Sequence, residues 1–176
     1  MFKIFKTHTP SFRFGLWGRS YQERYKTWEK EGKPTRPSRE EIEIYTSFLG
    51  KLSRDAKILI LGPTPELRDI VAGRRVVVAD LSYSNILAAS KYLTKAKPKD
   101  EIWVKGDWLS LPFPANYFDV ILGDAVSNQF PPGDEENKFF EIIRTYCSRK
   151  GYFISRFLQR HGVQISHDQL ARHLAT

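Results

Sequence analysis

Four short stretches of this chain end an apolar run on a turn-forming or acidic residue, and these are the places where chemistry can be done. Ile58 to Leu61 runs into Gly62-Pro63-Thr64, and Val76 to Val78 runs into Asp80 and Leu81. Glu101 to Val104 runs into Gly106-Asp107-Trp108, and Phe118 to Leu122 runs into Gly123-Asp124. Asp80 stands 18 positions after Gly62. A carboxylate at that distance, closing the strand beside the one that the glycine closes, can accept hydrogen bonds from ribose hydroxyls. The stretch from Lys57 to Asp80 therefore reads as a cradle for a nucleoside cofactor. An ordinary strand–helix–strand unit with an acidic strand end would carry the same residues, so this stretch alone leaves both readings open.

The elements that must position these residues follow from periodicity. Ile58 to Leu61 and Val76 to Val78 are continuous apolar runs, expected of strands buried on both faces of a parallel sheet. Between them Thr64 can cap a short helix, Pro65 suits its first position, and Glu66 meets the positive end of its dipole. Gly73 stops that helix. Ser38 and Glu41 have capping-box spacing and open an earlier helix whose stripe is Ile42, Tyr45, Phe48 and Leu49. Ser82 starts a helix expected to reach about Ala96, with Ile86, Ala89 and Leu93 inward. Asp134 is expected to cap a helix through Cys147, with Phe139, Ile142, Ile143 and Tyr146 inward, and Gly151 to stop it before a fifth strand over Tyr152 to Leu158. Ser166 and Gln169 mark a last helix start. Strands alternating with helices imply a parallel sheet with right-handed crossovers, whose ligands bind at the carboxyl ends of the strands. All four polar stretches lie at that edge.

Composition bounds the reading. A chain of 176 residues with 41% apolar and 27% charged residues fits one globular domain with a real core. No apolar run is long enough to span a bilayer, Met1 to Phe14 is a poor secretory signal, and a cytoplasmic home is expected. The single cysteine, Cys147, excludes an internal disulfide and a cysteine-cluster metal site, and suits packing better than reactivity. The net charge of +8 is uneven. Residues 1–39 carry +7, residues 144–176 carry +5, and residues 40–143 carry −4. Basic ends can attract nucleic acid or acidic substrates, although a solvated face is the commoner explanation. Residues 1–37 interleave aromatic and basic side chains. Ser20 to Lys30 reads as a helix with Tyr21, Tyr25 and Trp28 on one face, packing on the domain and covering the cofactor as a lid. The main domain is expected over residues 38–176.

With these residues in place, the chain resembles the class I S-adenosylmethionine-dependent methyltransferases over about Ile58 to Leu158. Ile-Leu-Ile-Leu-Gly at 58–62 is similar to that family's first motif. Leu111-Pro-Phe-Pro-Ala-Asn-Tyr-Phe-Asp-Val-Ile at 111–121 is similar to its approach to the fourth strand and is the most specific match. The resemblance implies a three-layer α/β/α Rossmann-like fold with a mainly parallel sheet. It implies S-adenosyl-L-methionine as cofactor, with Asp80 on the ribose hydroxyls and Asp107 on the adenine amino group. It places Gly62, Pro63, Thr64, Leu81, Gly106, Trp108, Gly123 and Asp124 around the same molecule. Two departures stand out. Ile60, Thr64 and Glu66 occupy positions where the family usually has an acidic residue and two glycines. The variant loop Gly-Pro-Thr-Pro-Glu-Leu-Arg-Asp suggests that Thr64 and the helix amino end replace the glycine contacts and that Glu66 helps hold the methionine ammonium. Arg68 and Asp69 read better as solvent or ion-pair residues. The family's final strands are also missing after the fifth, which leaves a sheet edge for a partner, for instance a second copy of the chain, to cover.

The implied activity is methyl transfer to an unidentified acceptor, more in keeping with a small molecule. Asp124, Asn128 and Gln129 are candidates for the acceptor side, no catalytic base is assigned, and no role falls to His8, His161, His167 or His173. Two other readings stay open: an inactive relative that binds nucleic acid through its basic ends, and a nicotinamide-dependent oxidoreductase. The second lacks Gly-x-Gly-x-x-Gly after Leu61, which close approach to a pyrophosphate needs.

Overall fold

The computed structural model describes residues 25–158 apart from 27 and 34. Most of the N-terminal aromatic segment, including Tyr21, all four histidines and the helix expected from Ser166 lie outside the described residues.

Five strands form one sheet in the order β3-β2-β1-β4-β5: β1 (Lys57–Leu61), β2 (Arg75–Asp80), β3 (Glu101–Lys105), β4 (Phe118–Asp124) and β5 (Cys147–Arg156). Every pairing is parallel. Successive residues of a strand point to opposite faces, so the unbroken apolar runs of β1, β2 and β4 bury both faces at once. On one face Ile58, Ile60, Val76, Val78, Val120 and Leu122 pack under α1 (Arg39–Leu49), α2 (Pro65–Ile70) and α3 (Tyr83–Ala89). On the other, Leu59, Leu61, Val77, Ala79 and Ile121 pack under α4 (Asp134–Tyr146) through Phe139, Ile143 and Tyr146. Three layers result, as the sequence led us to expect.

Several element boundaries differ from the sequence reading. The capping box of α1 forms as expected, with Ser38 accepting from the Glu41 amide and Glu41 accepting from the Ser38 amide. Thr64 precedes α2, but its side chain makes no capping bond; Pro65 at the first position carries the start. Helix α3 ends at Ala89 rather than near Ala96, because a 3₁₀ turn over Ser90–Tyr92 follows it. Asp134 is the first residue of α4, not its cap; Gly133, at φ +111°, holds the cap position. The largest difference is Gly151, which stops no helix. Helix α4 ends at Tyr146, β5 begins at Cys147, and Gly151 lies inside it at a bulge where the register shifts against β4. A Cβ at Gly151 would come within 2.7 Å of Cys147 Sγ and 2.9 Å of the Asp119 carbonyl, so close approach within the bulge is what requires glycine.

A buried ion pair ties the α2–α3 face to the edge strand. Arg68 is fully buried and donates from Nε and Nη2 to both oxygens of Glu101, at 2.9 and 2.6 Å, and also to the Ile86 carbonyl and Ser90 Oγ. Asp69 accepts backbone N–H bonds from Thr94, Lys95 and Ala96, and these bonds hold its carboxyl below the usual range against the raising effect of burial. Both residues are structural.

Candidate cofactor site

In strand order β3-β2-β1-β4-β5 the chain leaves β1 toward one neighbour and returns to its other side through β4. The loops after β1 and β4 therefore diverge, and a crevice opens between their tips. Leu61 to Thr64 line it from β1, Asp80, Leu81 and Asn85 from β2, Asp107 and Trp108 from β3, Asp124 to Val126 from β4, and Arg156 and Leu158 from β5. The loop after β4 adds Asn128, Gln129 and Phe130, and the segment before α1 adds Tyr25, Trp28 and Thr35. Eight of the ten residues expected at a cofactor site thus line one hollow. Gly106 and Gly123 do not. They sit one layer behind it, where a Cβ on Gly106 would meet Leu111 at 2.9 Å and one on Gly123 would run into Val126. Their role is to let the backbone turn under the lining.

At the β1 tip, Gly62 has φ +79°, in the left-handed region that favours glycine. Its amide donates to the Ala79 carbonyl at 2.9 Å, and Trp108 Nε1 donates to the same carbonyl at 2.9 Å. The indole is thereby pinned across the mouth of the β1 turn, 3.7 Å from where a Gly62 Cβ would stand. Asp107 Oδ1 accepts from the Leu109 amide and caps the 3₁₀ turn Trp108–Ser110, which is what presents Trp108.

Asp80 is buried at the β2 tip. Its Oδ1 accepts from the Ser82 amide at 2.8 Å and from Asn85 Nδ2 at 3.2 Å, while Oδ2 receives no bond from the described residues. Burial lifts its carboxyl from 3.8 to about 6, the two hydrogen bonds opposing that rise. Asn85 is buried too, and its Oδ1 has no partner. A buried carboxylate with one oxygen unclaimed, beside a buried amide with an unclaimed acceptor, is a costly arrangement in the empty protein. It suits a ligand that brings hydroxyl donors.

At the β4 tip, Asp124 forms a buried pair with Arg156 Nε at 2.7 Å, and Arg156 also reaches Glu41 at 3.6 Å. Tyr45 from α1 spans the two strand ends: its hydroxyl donates to the Gly123 carbonyl at 2.7 Å and accepts from the Arg156 amide at 2.8 Å. Ala125 follows at φ +53°, a strained conformation for a residue with a Cβ, and its amide is held by the Arg156 carbonyl. Asn128 clamps the Leu158 backbone through both ends of its amide, at 2.8 and 3.0 Å.

Glu66 corrects the sequence reading. It does not line the hollow. Its Oε1 accepts from Trp28 Nε1 at 3.2 Å and from Arg36 Nε, so it anchors the segment before α1 rather than facing the crevice. Sequence reasoning also missed Asn85 and Arg156 at this site. Asn85 carried a weak signal, being the one amide on an otherwise apolar inward stripe. Arg156 carried none, since a lone arginine in a strand is ordinarily solvated.

A model of the methyltransferase domain family matches residues 62–155. No curated protein matches the chain. Among solved structures it is similar to a TehB-like S-adenosylmethionine-dependent methyltransferase from Corynebacterium glutamicum, with 20% identity, a TM-score of 0.60, and 86% of this chain and 78% of the other covered. It is similar to a SAM-dependent methyltransferase from Aquifex aeolicus, with 18% identity, a TM-score of 0.55, and 81% and 77% covered. YcgJ from Bacillus subtilis aligns with 15% identity, a TM-score of 0.51, and 65% and 48% covered, so the chain spans about half of that protein's length. At these identities the likeness is one of fold. No helix among the described residues is long and apolar enough to cross a membrane.

Proposed function

This chain belongs to the methyltransferase domain family, and from that premise we propose that it binds S-adenosylmethionine in the hollow at the carboxyl edge of the sheet and transfers the methyl group to a small-molecule acceptor. The observation that carries the reading is the convergence of Gly62, Asp80, Trp108 and Asp124, from four strand tips, on one hollow. The residues fit the group. Asp80 Oδ2 and Asn85 Oδ1 offer acceptors to ribose hydroxyls. Leu81, Trp108, Val126 and Phe130 give an apolar bed for a planar base. Three carboxylates against one guanidinium line a hollow that would hold a sulfonium and an ammonium.

The bound cofactor supplies an electrophilic methyl on a positively charged sulfur. This chain's residues contribute position. Orientation alone can supply effective molarities of roughly 10⁵ M or more, so no dedicated base is needed. Asp80 and Asn85 fix the ribose. The Gly62-Pro63-Thr64 turn, closed by Trp108, fixes the methionine end and stands in for a glycine-rich loop. Asp124, held by Arg156 and indirectly by Tyr45, borders the acceptor side with Asn128 and Gln129. Tyr25, Trp28 and Thr35 roof the hollow, and Glu66 anchors that roof; residues 1–37 are read as its cover and 38–176 as the transferase domain.

Isothermal titration calorimetry with S-adenosylmethionine, S-adenosylhomocysteine and NAD tests the reading. The first two should bind and NAD should not, and Asp80→Asn should weaken both by about 10- to 100-fold, the worth of a hydrogen bond to a charged group. Binding of NAD alone, or equal binding by Asp80→Asn, would overturn it.

A further inference from the structure

The charge of this protein is sorted between the two edges of its sheet. In a parallel sheet every strand begins at one edge, and here the segments entering β1, β2, β3 and β5 bring Arg54, Arg75, Lys97, Lys99, Arg149 and Lys150 to that edge. All six are exposed, and among the described residues none makes an ion pair. Other cations there already have structural work. Arg74 donates to the Leu49 and Ser53 carbonyls beyond the end of α1, and Lys51 and Lys57 lie over the rings of Phe48 and Tyr117. The exposed acids on the same edge are Asp55 and Asp100. The opposite edge carries the acidic hollow and the acidic first turns of α1 and α4. The six cations have no internal partner and stand as far from the hollow as a strand is long, about 17–23 Å.

We propose that this amino-end rim is a docking surface for the sugar-phosphate backbone of a single-stranded nucleic acid. Five strands at about 4.8 Å spacing spread the cations along a line of about 19 Å, the form that suits an extended polyanion. The exposed large apolar residues of the protein all lie outside the rim segments, so the surface offers no wedge to enter a bilayer and no ring on which a base would stack. Recognition is therefore of phosphates, without base preference. The acidic hollow repels the same polymer, so the nucleic acid is a tether and not the methyl acceptor. This inference does not rest on the cofactor reading.

The test is fluorescence anisotropy of the full chain with a labelled oligothymidine of about 20 nucleotides and with an oligoadenosine of the same length. Six phosphate contacts predict a slope of log K against log salt of about −4, and an affinity about 300-fold weaker at 200 mM than at 50 mM salt. The triple variant R75E/K97E/K99E should halve that slope to about −2. The control K33E/R39E/K105E changes net charge equally at the other edge and should keep the slope of the parent. Melting curves and S-adenosylhomocysteine titration report that each variant is folded. Equal slopes for both variants, which would place binding in net charge or in other segments, would overturn the proposal. So would the absence of binding at 50 mM salt, a strong base preference, or tighter binding to anionic phosphatidylglycerol vesicles that displaces the oligonucleotide.

Discussion

Removing the Asn85 amide should make cofactor binding fail at neutral pH and recover at high pH. Asp80 titrates at about 6 in the empty protein because burial disfavours its charge, and Asn85 Nδ2 is one of two donors that resist the rise. A hydrogen bond to a charged group is worth about 1.5–3 kcal/mol, and one pKa unit is about 1.4 kcal/mol. Asn85→Ala should therefore lift Asp80 by about one to two units, to between about 7 and 8. If the ribose diol binds the carboxylate, affinity of the parent protein falls about tenfold per pH unit below 6 and is flat above it. The variant should start to lose affinity from about pH 7.5, be about fourfold weaker than the parent at pH 7 from this cause, and converge on the parent at pH 9. The assay is S-adenosylhomocysteine titration from pH 5 to 9, with urea unfolding at each pH to show that the variant is folded. An affinity reduced by one factor at every pH would refute the reasoning, because it would mean that Asn85 shapes the hollow without acting through the Asp80 charge. A parent midpoint near 4 would refute it at its root.

Asp80 also links pH to stability. Its folded value, about 6, lies above the 3.8 of an unperturbed carboxyl, so its contribution is fully present below about 4 and is lost as pH rises through about 6. Asp80→Asn should raise the stability of the cofactor-free protein at pH 7 by about 1–3 kcal/mol while abolishing that pH dependence, measurable by urea unfolding at pH 4.5 and 7. Arg68→Ala leaves Glu101 buried and uncompensated, and should cost about 3–5 kcal/mol in the same assay; Arg68→Met with Glu101→Leu should recover most of it. Glu66→Ala frees Trp28 Nε1 and Arg36 together, and should increase the accessibility of Trp28 to an acrylamide quencher, with little loss of global stability. Gly62→Ala has room for its Cβ but not a suitable backbone angle, so it should cost about 1–2 kcal/mol at φ +79° and weaken cofactor binding.

The sheet, its layers and the edge that carries the site were legible because each strand is an apolar run closed by a residue of another kind. Ile58 to Leu61 before Gly62, and Val76 to Ala79 before Asp80, can hardly be read otherwise: period and punctuation are local properties of a chain. Boundaries set by competition between elements were not legible. Gly151 has the look of a helix stop, yet β5 takes it because pairing with β4 past Asp119 needs a residue without a side chain. Glu66 has the look of a ligand residue, yet Trp28 and Arg36, 38 and 30 positions away, claim it. Arg68, Asn85, Asp124 and Arg156 took their meaning from partners between 5 and 33 residues distant. What the sequence determined by itself was which residues stand at the ends of strands, since that follows from alternation along the chain. Only the tertiary structure decided which of them face the hollow, which lie behind it and which are already neutralised, because burial and charge pairing depend on segments that folding alone brings together.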